Sequence, residues 1–124
     1  MKLMMKLTLV PLALAAAAPA YAQSSGGSFS GTGGKAVFEQ ICAACHQAGG
    51  VGYPGAYPAL AKNPKLAAAA YPILVVLNGQ NHMPALGRML DDQQVSDVVN
   101  YVRSNLGNAY KPTTTPADVA AVRR

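Results

Sequence analysis

The feature that most constrains this chain of 124 residues is the pentapeptide Cys42-Ala43-Ala44-Cys45-His46, which contains both of its cysteines. Two intervening residues place the sulfurs on one side of a helical turn, within reach of the two vinyl groups of one porphyrin. The next residue can then project its imidazole at the iron. This spacing followed by histidine is the signature of c-type haem attachment. We therefore predict one haem c, bound covalently by Cys42 and Cys45 and ligated by His46.

Three other interpretations of the two cysteines have to be weighed. A thioredoxin-like redox pair opens a helix after a strand, whereas this motif closes a helical pattern with no strand pattern before it. A structural zinc site usually has four ligands, and His82 is too far along the chain for the usual ligand spacing. A local disulfide would bring no function. Haem attachment accounts best for the whole pentapeptide.

The composition fits a small fold that needs a bound group. Aromatic residues make up 6% of the chain, charged residues make up 12%, and tryptophan is absent. A small domain with few large apolar side chains buries little surface of its own and usually needs a metal, cofactor or crosslink. A buried porphyrin would supply the missing apolar mass.

The first 22 residues have the pattern of a cleaved signal peptide. Lys2 and Lys6 precede an apolar run over residues 7–18, and Ala20-Tyr21-Ala22 fits a small-x-small cleavage site. The run is shorter than the roughly 20 residues of a transmembrane helix. We therefore expect a periplasmic protein with no membrane span after cleavage. Its net charge would fall from +5 to +3, which does not indicate nucleic-acid binding.

The rest of the chain divides into three parts. Residues 23–31, rich in Ser and Gly, are predicted to form a flexible linker. Residues 32–107 are predicted to form the haem domain. The tail, residues 108–124, is predicted to contain a short terminal helix that begins at Thr115-Pro116, with a frayed extension as the alternative.

Helices are predicted from periodicity, caps and prolines. Apolar positions at spacings of three and four run from Lys35 to the haem motif. Prolines in a first turn predict short helices near residues 64–70 and 72–78. Asp91 and Gln94 are spaced as a capping box that opens the last main helix. That helix is expected to end at Gly107. It carries an apolar stripe formed by Val95, Val98, Val99, Val102 and Leu106.

A haem bound by His46 has a sixth coordination position. Beyond the signal segment, Met83, Met89 and His82 could fill it. Met83 is favoured because Pro84 follows it, has a fixed φ, and biases Met83 towards extended geometry. A thioether ligand raises the reduction potential relative to a second imidazole. A His82 ligand and a core-filling role for Met83 stay open.

With these motifs together, residues 32–105 resemble class I cytochromes c, and more narrowly the haem domains of bacterial dehydrogenase cytochrome subunits. The resemblance rests on the haem motif, on Tyr57-Pro58-Ala59-Leu60 and on Met83-Pro84. It implies that the Pro58 carbonyl accepts a hydrogen bond from His46 and that Leu60 packs on the porphyrin. It implies Met83 as the distal ligand.

Further positions match the family's pattern. Gly34 and Phe38 match its contact face on the first helix, and Val98 and Tyr101 match the facing residues of the last helix. Family members often bond a haem propionate through an aromatic residue near the middle of the chain. Three tyrosines are candidates here, and each could equally be a half-buried surface residue: Tyr53, Tyr57 and Tyr71.

The resemblance implies an all-α single domain of four or five helices around one covalently bound haem. It implies that the protein is an electron carrier and not an enzyme. The carrier would accept electrons from a dehydrogenase and pass them to an oxidase or another cytochrome. With His46 and Met83 on both axial positions, no substrate could reach the iron. Lys62, Lys65 and Arg88 are candidates for docking an acidic partner, although exposed basic side chains are more often simply solvated.

Overall fold

The computed structural model describes residues 28–111 and 113–123, so the predicted signal peptide lies outside the described residues. Every regular element of the described part is helical, and the prediction of an all-α fold is confirmed. None of these helices combines the length and apolarity needed to cross a membrane. The elements, in chain order, are α1 (Gly34–Val37), a π-helical turn (Phe38–Cys42), α2 (Ala43–His46), 3-10 turns at Ala48–Gly50 and Pro64–Leu66, α3 (Ala70–Asn78), α4 (Asp92–Ser104) and α5 (Pro116–Val122).

The consecutive helical turns from α1 to α2 form one segment, which crosses α4 at Gly34. A Cβ atom on Gly34 would overlap the Asp97 carbonyl oxygen and would lie 2.7 Å from Tyr101 Cβ. The Phe38 and Tyr101 rings pack with centroids 5.5 Å apart. The crossing therefore uses the helix contacts that the resemblance implied.

The start of α4 has the predicted capping box. Asp91 Oδ1 accepts from the Gln94 backbone N–H at 2.8 Å, and Gln94 Oε1 accepts from the Asp91 N–H at 3.0 Å. These bonds satisfy donors that have no partner within the helix. The valines of the predicted stripe are buried and form the centre of the core: Val95, Val98, Val99 and Val102.

The end of α4 comes earlier than predicted. The helix stops at Ser104 instead of continuing to Gly107, and Leu106 has a φ of 57°. The Asn108 side-chain amide donates to the Val102 carbonyl at 2.7 Å, and the Tyr110 backbone N–H donates to the Arg103 carbonyl at 2.9 Å. These two carbonyls are the acceptors that the N–H groups of residues 106 and 107 would need in a longer helix.

The helix predicted near residues 64–70 is wrong. Only Pro64–Leu66 forms a 3-10 turn, and α3 begins at Ala70, two residues before the predicted start. The reason lies in α4. The buried Arg103 donates from Nε to the Leu66 carbonyl at 2.9 Å and from Nη2 to the Ala67 carbonyl at 3.0 Å. Those two carbonyls are therefore drawn to the guanidinium rather than to a following helical turn.

Both ends of the described chain pack against the core. Phe29 and the residues around it belong to the predicted linker, yet the Phe29 N–H bonds the Met89 carbonyl at 3.2 Å. The Gln94 amide donates to the carbonyls of Phe29 and Gly31 at 2.6 and 2.9 Å. At the other end, α5 packs against α3 and α4, with Val119 fully buried. Residues 28–31 and 116–122 are therefore part of the packed structure.

Candidate haem site

A cavity of about 790 Å³ opens between the end of α2, α3, α4 and the loops over residues 56–60 and 80–86. This volume is in the range of small-molecule and cofactor sites. Its walls are mainly apolar, with valines of α4 on one side and Leu66 and Leu86 on others. The lining includes the residues predicted to hold a haem: Cys42, Cys45, His46, Pro58, Leu60 and Met83.

His46 is held by the loop that follows it. The residue is buried, and its Nδ1 atom lies 2.8 Å from the Pro58 carbonyl oxygen. A carbonyl can only accept, so Nδ1 is the donor in this bond, and Nε2 is the ring nitrogen left to bind a metal. Metal-binding histidines commonly donate their other ring nitrogen in this way, which fixes the ring and strengthens the ligand.

Gly52 allows this loop to close. Its N–H donates to the His46 carbonyl at 2.7 Å, and its φ is 67°. A Cβ atom on Gly52 would lie 2.5 Å from the Tyr57 carbonyl oxygen and 2.7 Å from the Ala59 nitrogen. Only glycine fits this approach, which brings Pro58 back to His46. Sequence reasoning missed Gly52, because one glycine among twelve carries no distinguishing signal.

Asn108 holds the next part of the same loop and was also missed. Its amide donates to the carbonyls of Leu60 and Val102 at 2.8 and 2.7 Å, and its Oδ1 accepts from the Asn63 N–H at 2.9 Å. The residue is buried. It therefore ties the Leu60 segment to the end of α4. A buried asparagine just after a helix end is a weak signal that the sequence could have offered.

The two thiols differ in exposure. Cys42 is half-buried, Cys45 is exposed, and neither forms a disulfide. Burial raises the pKa of the Cys42 thiol to about 11. A thiol–disulfide catalyst needs the opposite, a lowered pKa that provides the nucleophilic thiolate. The burial of Cys42 and the raised pKa of its thiol therefore weigh against the redox-pair interpretation.

Met83 and His82 both reach the cavity, from a turn that the backbone closes on itself. The Gln80 and Met83 N–H groups donate to each other's carbonyls at 3.0 and 2.9 Å, and Asn81 has a φ of 52°. Met83 is half-buried and packs against the core, while His82 is exposed. Met89, the third sequence candidate, is not among the lining residues.

Only some of the tyrosine and basic candidates line the cavity. Tyr57 and Tyr71 line it, whereas Tyr53 does not. The Tyr71 hydroxyl donates to Gln80 Oε1 at 2.9 Å. Among the described lining residues, Lys65 alone is a lysine, arginine, aspartate or glutamate. Lys62 and Arg88 lie outside the lining.

The residues present fit haem c. Two thiols outside any disulfide and an imidazole held through Nδ1 line the same cavity as a thioether, and apolar side chains form the walls. Within residues 28–111 and 113–123, no group of three or more His, Cys, Asp or Glu side chains could hold a metal ion by itself.

The chain is similar in sequence to proteins of known families. Residues 30–102, more than half of the chain, match the family described as cytochrome c oxidase, cbb3-type, subunit III. The chain is 38% identical over 105 residues to the gluconate 2-dehydrogenase cytochrome c subunit of Pantoea cypripedii, covering 73% of this chain and 24% of that protein. It is 34% identical over 103 residues to the cytochrome c subunit of a quinone-type alcohol dehydrogenase from Gluconacetobacter polyoxogenes, covering 73% and 22%.

A shorter relative matches over most of its length. Cytochrome c6 of Bumilleriopsis filiformis is 41% identical over 75 residues, which cover 57% of this chain and 86% of that protein. By contrast, the chain spans about a quarter of the length of the dehydrogenase subunits it matches. These matches confirm the resemblance drawn from the motifs.

Proposed function

The chain belongs to the cytochrome c family that matches residues 30–102, and from this membership we propose a specific electron carrier. It carries one electron at a time on a single haem c attached through Cys42 and Cys45, with His46 and Met83 as axial ligands. The observation that carries the proposal is the hydrogen bond from His46 Nδ1 to the Pro58 carbonyl, in the cavity that Met83 also lines.

Each of these residues has a separate task. A bound haem c supplies reversible one-electron chemistry at iron. His46 presents Nε2 in a fixed orientation because Pro58 holds the other ring nitrogen. Met83, which lines the same cavity, would supply the second ligand to the iron and would leave no place for a substrate there. The valines of α4 and Leu86 would give the bound group apolar surroundings, and the polarity around a haem tunes its potential.

We propose that the carrier works in the periplasm between two redox proteins. Its relatives are named as cytochrome subunits of gluconate, alcohol and fructose dehydrogenases, which supports a dehydrogenase as the electron donor. A terminal oxidase or another cytochrome is the acceptor. Lys65, exposed beside the cavity, offers a cation to an acidic partner surface.

Paired substitutions at the two adjacent candidates test the axial ligand. Met83→Ala should abolish the thioether band, meaning the weak long-wavelength absorption of ferric haem with a sulfur ligand, and should lower the reduction potential. It should also open ferrous iron to carbon monoxide. His82→Ala is the matched control, because His82 is exposed in the same turn, and it should leave the spectrum and potential unchanged. If His82→Ala alone disrupts the low-spin haem, the ligand is His82 and the proposal is wrong.

A further inference from the structure

The side chain of Arg123 reaches the loop that joins the Met83 turn to α4. Its Nε donates to Asp92 Oδ1 at 2.7 Å, and its Nη2 donates to the Leu90 carbonyl at 2.9 Å. Its Nη1 donates to the Gly87 carbonyl. The side chains of Arg123 and Asp92 are only 21% and 24% exposed, so this ion pair is mostly shielded from solvent. One guanidinium thus binds three residues of one segment.

The position of Arg123 is fixed by α5, the helix that it follows. Thr115 and Asp118 form a reciprocal capping box at the start of α5, and Val119 is fully buried against the core. The Arg123 N–H donates to the Val119 carbonyl at 2.9 Å, which extends the order of α5 to the arginine. These residues lie beyond the part of the chain that matches the cytochrome family.

The segment that Arg123 binds is also attached to α3 and to the cavity. The N–H groups of Leu86 and Gly87 donate to the carbonyls of Val76 and Leu77 at 2.9 and 3.2 Å. Leu86 lines the cavity together with Met83. Met83 is joined to Gly87 through three residues that begin with Pro84. A shift at Gly87 is therefore passed to Met83 over a short and partly stiffened stretch.

We infer that Arg123 is a positioning residue for Met83. It acts by holding the Gly87 and Leu90 carbonyls and the Asp92 carboxylate, which fixes the loop that presents the thioether. The inference rests on the axial role of Met83 proposed above. Lysine cannot replace arginine here, because one ammonium group lacks the planar fork that reaches three acceptors in different directions. Loss of the fork raises the fraction of time that Met83 is away from the iron.

The test compares Arg123→Lys and Arg123→Ala with the wild-type holoprotein. The apparent affinity of ferric haem for added imidazole reports the opening of the Met83 loop, because imidazole binds only when the thioether has left. Both variants should raise this affinity about tenfold, the effect of losing one or two hydrogen bonds. In the same two variants, hydrogen exchange at the Gly87 and Leu90 amides should become faster. This second measurement does not depend on the haem.

Val37→Ala is the matched control, since it truncates a fully buried residue of α1. At a comparable loss of stability in urea, it should leave the imidazole affinity within about twofold of wild type. The inference is overturned if both arginine variants bind imidazole as wild type does, or if Val37→Ala raises the affinity equally. A wild-type protein without the thioether band would instead overturn the assignment of Met83, and the inference with it.

Discussion

His46 Nδ1 lies 2.8 Å from the carbonyl oxygen of Pro58, twelve residues further along the chain. The bond requires the intervening loop to turn back, which Gly52 allows, and Asn108 holds the Leu60 carbonyl just beyond Pro58. The orientation of the His46 ring therefore depends on a glycine turn and on an asparagine side chain that lie outside the haem motif.

Asn108→Ala should destabilise the protein by about 3 kcal/mol. The substitution leaves the Leu60 and Val102 carbonyls and the Asn63 N–H without their partner, and each such group costs about 1 kcal/mol or more when buried. Asn105→Ala is the matched control, because Asn105 is exposed and should cost less than about 1 kcal/mol. Urea unfolding of the holoproteins measures both. Equal losses would contradict the role given to Asn108.

Haem attachment should be double and covalent, and folding should depend on it. The intact mass of the wild-type holoprotein should exceed that of the polypeptide by one haem. A Cys42→Ala, Cys45→Ala double variant should be largely unfolded by far-ultraviolet circular dichroism. Its apolar cavity of about 790 Å³ would face water, at about 25 cal/mol for each Å² of apolar surface. Haem that extracts into acidified acetone, or a double variant with a cooperative melt, would refute this prediction.

Gly34→Ala should destabilise the fold by at least about 2 kcal/mol, because a new Cβ meets the α4 backbone at Asp97 and cannot be relieved by a rotamer change. Gly49→Ala is the control. A Cβ there meets nothing within 4 Å, and only its φ of 72° costs energy, about 1 kcal/mol. Thermal unfolding of the two holoproteins gives the comparison. The helix crossing is misjudged if Gly34→Ala is the milder change.

The docking of α5 should weaken in acid. The Asp118 carboxylate accepts hydrogen bonds from the Thr115 backbone N–H, which contributes most, and from the Thr115 hydroxyl. These bonds hold the pKa of Asp118 below the ordinary value of 3.8. Because the folded-state pKa is lowered, the stabilisation is fully present above 3.8 and is lost as the pH falls through the folded value. Amide exchange at Val119 and Arg123 should therefore show more frequent opening in acid.

Asp118→Asn separates this effect from general acid unfolding. The variant should show the more frequent opening of α5 at neutral pH already, and little further change as the pH falls below about 4. Its opening at Val95, in α4, should follow the wild-type profile. Identical profiles at Val119 in wild type and variant would show that the Asp118 carboxylate does not hold the tail.

Local signals were sufficient for much of the fold and site. The capping box of Asp91 and Gln94 depends on residues three apart, so its pattern survives in the sequence. The haem pentapeptide has the same property. Met83 is favoured by the proline that follows it and then by the resemblance, whereas Pro58 is predicted by the resemblance alone, and the structure brings both to the cavity of His46. The contact of Pro58 with His46 has no local signal, because the two residues are well separated along the chain.

What escaped prediction depends on contacts between distant residues. Arg103 draws the carbonyls of Leu66 and Ala67 from another helix, so an alanine-rich stretch with good helix propensity does not continue its turn. Arg123 binds a loop more than thirty residues earlier, which no periodicity indicates. Phe29 lies in a Ser/Gly-rich stretch whose composition predicts a linker, yet its N–H bonds the Met89 carbonyl.

A spectroelectrochemical titration of the purified wild-type holoprotein tests the central claim most directly. Visible spectra are recorded while the applied potential is stepped through the ferric–ferrous transition. We predict a single one-electron Nernst curve, with the thioether band disappearing along that same curve as the haem is reduced. Two resolved waves would contradict a single haem. A ferric protein without the thioether band would contradict ligation by Met83 and the account of this site as a closed electron carrier.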